Sequence, residues 1–165
     1  MEKLNVSTGL LEVSVNKYDD LLILNCADLS VFNRFAKLYE NVETIADSAT
    51  RKLEELNHKH GDDIQTGIAD AVCEYVGVNI DFSRKVMLEL NNVFGDGFTD
   101  KVFRENYELN PDFVPDEIAL TDLLEALVPI MEKAYGERMK RNRSKYSAKK
   151  RGKNTTPVNG GAADE

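Results

Sequence analysis

The chain has 165 residues, 42% of them hydrophobic and 30% charged, no Trp, and a formal net charge of -8. That length fits one core rather than two, and the balance of apolar to charged residues excludes a wholly disordered chain. The longest aliphatic run, residues 21–24, falls far short of the roughly 20 residues that span a bilayer, and the N-terminus is read as lacking a secretory signal.

Leu11, Val13 and Val15 alternate with Glu12 and Ser14, the period-two pattern of a half-buried strand. Residues 21–24 supply a second strand across the polar turn Asn16-Lys17-Tyr18-Asp19-Asp20, so a β-hairpin over about residues 10–25 is expected. Asp28 stands where its carboxylate can cap a helix. After it, Phe32, Phe35, Tyr39, Val42, Ile45, Ala46, Ala49, Leu53 and Leu56 recur by threes and fours, which predicts one long amphipathic helix over about 29–57. Gly61 ends it, and Asp62 and Asp63 favour a new N-terminus through the helix dipole.

Ile64, Ile68, Val72, Cys73 and Val76 form the next apolar stripe, a helix over 64–76. Gly77 interrupts it, Asp81 is read as the cap of a helix over 81–94, and Gly95 as its left-handed terminator. Residues 98–103 read as one short further helix. Pro111 and Pro115 mark a loop, because the residue before each proline is biased out of the helical region. Thr121 begins a last helix over 121–140, with Leu123, Leu124, Leu127, Ile130, Met131 and Ala134 inward, and Pro129 predicts a kink or break within it. The fold class expected is mainly α with a short N-terminal β-hairpin (α+β), a helical bundle over 1–137 followed by a disordered basic tail over 145–165.

Charge divides the chain more sharply than its total suggests. Arg138, Lys140, Arg141, Arg143, Lys145, Lys149, Lys150, Arg151 and Lys153 lie in a stretch without Asp or Glu, leaving 12 Lys+Arg against 27 Asp+Glu in residues 1–137, a net of -15. Such a run can neutralise phosphates, dock on an acidic protein surface, or only solubilise. The acidic body would repel nucleic acid unless the basic segment is held well away.

Catalytic signals are absent from the sequence. His58-Lys59-His60 is the only histidine cluster, and at a helix end side chains two apart diverge by about 200°, with no pattern supplying further metal ligands. Gly95-Asp96-Gly97 follows a helix rather than a strand, so it reads as a cap and not a phosphate loop. Cys26 and Cys73 read as small buried hydrophobes rather than a disulfide. No enzyme, metal or cofactor is expected.

In order, these features resemble the small tail assembly chaperones of phages and prophages of Gram-positive-type bacteria. The matching parts are the hairpin, the long helix from Phe32 to Leu56, the segment Val93-Phe94-Gly95-Asp96-Gly97-Phe98-Thr99-Asp100-Lys101-Val102-Phe103, and the basic end. The resemblance spans about residues 11–153. It implies a protein of the bacterial host cytoplasm, absent from the mature virion, that holds the tape-measure protein soluble while tail-tube subunits assemble, the tail-tube protein and a second copy being further partners. Phe32, Phe35, Tyr39 and Val42 are the candidate partner-binding residues, although base rates for such residues favour the domain's own core over a binding surface. The alternative function is a nucleic-acid-binding accessory protein of a mobile element, acting through the basic tail.

Overall fold

In the computed structural model, residues 9–61 and 68–153 are described, with side chains for 9–61, 68–145 and 147. The expected hairpin is present: β1 (Leu10–Ser14) pairs antiparallel with β2 (Leu21–Asn25). The register sets Leu11 against Leu24 and Val13 against Leu22. Alternation then does the sorting, burying Leu22 and Leu24 while Leu10, Leu21 and Ile23 face solvent. Asn16 organises the turn, its side-chain oxygen accepting the Tyr18 and Asp20 backbone N–H groups at 2.9 and 3.2 Å. Asp19 adopts φ 59°, a left-handed conformation that Asp tolerates better than most residues.

Helix α1 (Leu29–His60) starts at Asp28, whose carboxylate accepts the Ser30 N–H at 2.9 Å. It ends at Gly61, with φ 53° and its N–H donated to the Asn57 carbonyl at 2.7 Å. At about 1.5 Å per residue its 32 residues extend roughly 48 Å. Helix α2 (Ala69–Phe94) returns antiparallel, as Lys59 meets Glu74, Lys52 meets Asp81, and Phe35 meets Phe94.

Several expectations for this region are corrected. Helices over 64–76 and 81–94 are one helix over 69–94, because an interior Gly costs only about 1 kcal/mol relative to Ala and α1 packs along both halves. Asp81 is not a cap: it binds Lys85 one turn on, at 2.8 Å, and Lys52 of α1, at 3.5 Å. The stripe Ile68, Val72, Cys73 and Val76 faces away from α1 and is exposed; Val78 and Phe82 are the residues beside Ala49 and Lys52 of α1. Periodicity identifies an apolar face without identifying its neighbour. Asp62, Asp63 and Ile64 lie outside the described residues.

Gly95 has φ 105° with an extended ψ of 154°, and the left-handed residue is instead Gly97, at φ 75° and ψ 10°. This pair turns the chain into α3 (Phe98–Val102), and a further short helix, α4 (Arg104–Leu109), follows where none was expected. Thr99 is fully buried; its N–H donates to the Asn91 side-chain oxygen at 3.0 Å, while its hydroxyl has no partner among the described residues. The loop with Pro111 and Pro115 ends at Asp116, which accepts the Ala119 N–H at 2.9 Å. Asp116, not Thr121, therefore caps the last helix, α5 (Glu117–Lys153).

Helix α5 continues through Pro129 without a break. The proline is exposed, so the Glu125 carbonyl it leaves unpaired is on the solvent side, and the buried Leu127 and Met131 anchor the helix on either side. It also continues past residue 145, where a disordered tail was expected, to Lys153; residues 154–165 lie outside the described residues. The core gathers Leu22 and Leu24, Val31 and Leu38, Val86 and Leu90, Phe98 and Phe103, and Leu120, Leu127 and Met131. It uses the first half of α1 and the second half of α2, leaving their other halves as a two-helix arm.

Candidate partner-binding surface

The beginning of α1 lies beside the middle of α5, and an open apolar groove of about 450 Å³ runs between them, lined by Leu29, Phe32, Asn33, Phe35, Met131, Glu132 and Tyr135. Its floor is the buried Met131. Phe32 and Tyr135 close one side in an edge-on contact, 5.0 Å between ring centres. Leu29 at 69% and Tyr135 at 45% exposure are too open for core residues of this size. Helical spacing explains the lining: positions 29, 32 and 35 recur by threes, next to the stripe of Val31, Leu38 and Val42 that faces the core.

The four residues singled out from the sequence separate here. Phe32 and Phe35 line the groove. Tyr39 lies just beyond it, 41% exposed and edge-on to Phe35 at 5.6 Å. Val42 packs against the core and is not part of the groove. Leu29, Met131 and Tyr135 were missed, because nothing in a linear pattern pairs the start of α1 with the middle of α5. The rim is acidic: the Tyr39 hydroxyl is held above its ordinary pKa by burial, and the nearby Glu125 and Glu132 carboxylates push it the same way.

The nine bases 138–153 are on α5 and not in the groove. Lys140, Arg141, Arg143 and Lys145 are all exposed, and Arg138 is half-buried. At the tip of the arm, Lys59 and His60 both reach Glu74, at 2.9 and 3.2 Å, and these bonds, Lys59 first, pull the Glu74 carboxyl below its usual pKa. Lys59 and His60 thus join the two helices of the arm. Among the described residues no group of three His, Cys, Asp or Glu side chains is placed to hold a metal ion. Cys26 is buried, and desolvation raises its thiol pKa; Cys73, expected inside, is exposed on the arm.

A second polar cluster ties the hairpin turn to α3 and α4. Tyr18 donates to Glu108 at 2.6 Å, Arg104 contacts Asp20 at 3.1 Å and Glu108 at 3.2 Å while lying over the Tyr18 ring, and Lys17 meets Glu105 at 2.7 Å. The Asn16 amide completes the tie on the Lys101 carbonyl at 2.7 Å. Hydrogen bonds from Asn16 and Arg104 lower the Asp20 pKa, and those from Tyr18 and Arg104 lower that of Glu108. A carboxyl depressed in the folded state contributes stability above its unfolded pKa of about 4 and loses it as pH falls through the folded value. Hydrogen exchange should therefore show the Val15 and Asp19 amides losing protection below about pH 4 before the amides of α1 do; equal loss in both would show that the cluster does not hold the turn.

No helix among the described residues is long and apolar enough to cross a membrane. Compared with protein-family models, with curated proteins and with solved structures, the chain matches none.

Proposed function

We propose that the protein is an assembly chaperone, holding a helical, aggregation-prone partner in the groove between α1 and α5. The observation that carries this reading is the groove itself: exposed Leu29 and Tyr135 beside Phe32, Phe35 and a Met131 floor. Its volume falls within the roughly 300–1,000 Å³ of binding pockets, and its open, apolar lining suits the apolar face of an amphipathic helix. The acidic rim favours a partner helix whose apolar stripe is flanked by Lys and Arg. The order of features shared with phage tail assembly chaperones makes the tape-measure protein the candidate partner, held in the bacterial cytoplasm until tail-tube subunits enclose it and displace the chaperone, which stays out of the finished particle.

Co-expression with the tape-measure protein tests this. The wild-type chain is expected to shift that protein into the soluble fraction and to copurify with it. The double variant Leu29→Glu/Tyr135→Gln, altered only at exposed groove positions, should keep its helix content and melting temperature while the tape-measure protein returns to the pellet. Equal solubilisation by the variant overturns the groove as the binding site, and no solubilisation by the wild type overturns the function.

A further inference from the structure

The two flanks of the helical arm differ in charge. Lys52 pairs with Asp81 and Lys59 with Glu74 across the α1–α2 seam, and these groups lie on one flank, around Leu56, Gly77 and Val78. At about 100° per residue around α2, Asp70, Glu74 and Asp81 cluster together, while Ile68, Val72, Tyr75 and Val76 fall in a sector of about 100° on the opposite side. All four are exposed, Ile68 by 49% and Val76 by 46%. On α1 the same turn geometry sets Thr50, Leu53 and Asn57 opposite Lys52, Glu55 and Lys59. Leu53 is half-buried and the other two are exposed. In a chain that is 30% charged, none of these opposite-flank positions carries a charge.

Farther along the two helices, this uncharged flank becomes the core side of the domain. Val86 and Leu90 share the sector of Ile68, Val72 and Val76 on α2 and are fully buried. On α1, Tyr39 shares the sector of Thr50 and Asn57 and lies near Glu125 and Glu132 of α5. Helix α5 thus covers the flank in the body of the domain, and among the described residues no helix takes its place over the arm. The start of α2 has its buried Ala71 and half-buried Val78 toward α1 and its exposed apolar residues on the flank. A helix apolar on two sides is suited to burial on both.

We infer that a second copy of this chain covers the flank, two arms packing face to face about a twofold axis to form a four-helix bundle. Each arm supplies the two helices that the other lacks, and the contact closes on itself. Charge selects this occupant. Residues 1–137 carry a net of -15, so two copies repel over most of their surfaces, and the uncharged flank lets them meet without opposing like charges. Area sets the strength: a face about 20 Å long and two helices wide offers about 400 Å² per copy. The total of about 800 Å² is at the weak end of specific interfaces, so the dimer is reversible, with a Kd of roughly micromolar order. The groove between α1 and α5 lies roughly 27 Å lower on α1, counted from Leu53 to Phe35. The inference therefore does not rest on that groove or on its proposed partner.

Sedimentation velocity of the full chain from about 1 to 100 µM, at salt from about 50 to 500 mM, tests this. A monomer–dimer equilibrium is expected, and it should tighten with salt, because salt screens the repulsion between acidic bodies while leaving the uncharged contact intact. Val72→Glu/Val76→Glu should keep its helix content by circular dichroism and weaken the dimer at least about 100-fold. Thr50→Glu, on the other helix of the same flank, should weaken it as well, so the result does not depend on one variant folding. Leu29→Glu should leave the dimer unchanged. The inference is overturned by a monomer at every concentration, or by a dimer that both flank variants leave intact. A dimer that loosens with salt also overturns it, since the basic end of one copy would then sit on the acidic body of the other. So does a monomer whose hold on the tape-measure protein is lost in Val72→Glu/Val76→Glu, which would make that protein the occupant.

Discussion

Replacing Leu38 by Ala should destabilise the protein by about 3 kcal/mol, within the range for a fully buried leucine truncated to alanine. Leu38 is completely buried on α1, in the same core as the equally buried Val86 and Leu90 of α2 and the hairpin's Leu22 and Leu24. Part of the cost is lost transfer free energy and part is the cavity left where long helices cannot readily collapse. For a domain whose total stability is of order 5–15 kcal/mol, this is a large fraction. Urea unfolding should show a lower midpoint with an unchanged slope. A loss below about 1 kcal/mol would mean that the α1–α2 contact is not the main support of the fold.

Thr99→Val should act in the opposite direction, stabilising by about 1–3 kcal/mol. The Thr99 side chain is fully buried and its hydroxyl has no hydrogen-bond partner among the described residues, so the folded state bears the desolvation of that group. Valine keeps the branched shape and removes the oxygen. The backbone bond from the Thr99 N–H to Asn91 is untouched. Thermal unfolding should show a higher midpoint for Thr99→Val and a lower one for Thr99→Ala, which leaves a void. A lower midpoint for Val would show that the hydroxyl contributes to the native state.

The hairpin, the α1 start at Asp28 and its stop at Gly61 are legible in the sequence because each depends on a local pattern: alternation, a carboxylate before a helical stripe, a glycine after it. The single helix α2 was not legible, since Gly77 and Asp81 carry the marks of a break and only the neighbouring α1 overrides them. Pro129 shows the same limit, because a proline's cost depends on whether the carbonyl it orphans meets solvent. Of the groove, Phe32 and Phe35 could be found from their period, while Tyr135 and Met131 approach them only through the packing of α5. The basic run was visible as composition; that it continues the last helix to Lys153 was not.

The tie between the hairpin turn and α4 also bears on the order in which the chain can fold. Arg104 is 84 residues beyond Asp20, so the hairpin is made first during synthesis and secured late. At about 5–20 residues per second, several seconds separate the emergence of Asp20 from that of Arg104. A two-stranded hairpin is marginally stable alone, and although α1 and α2 are made within that interval, the α5 residues of the core that holds Leu22 and Leu24 follow only after Arg104. The hairpin is thus made well before the groups that secure its turn and complete its core.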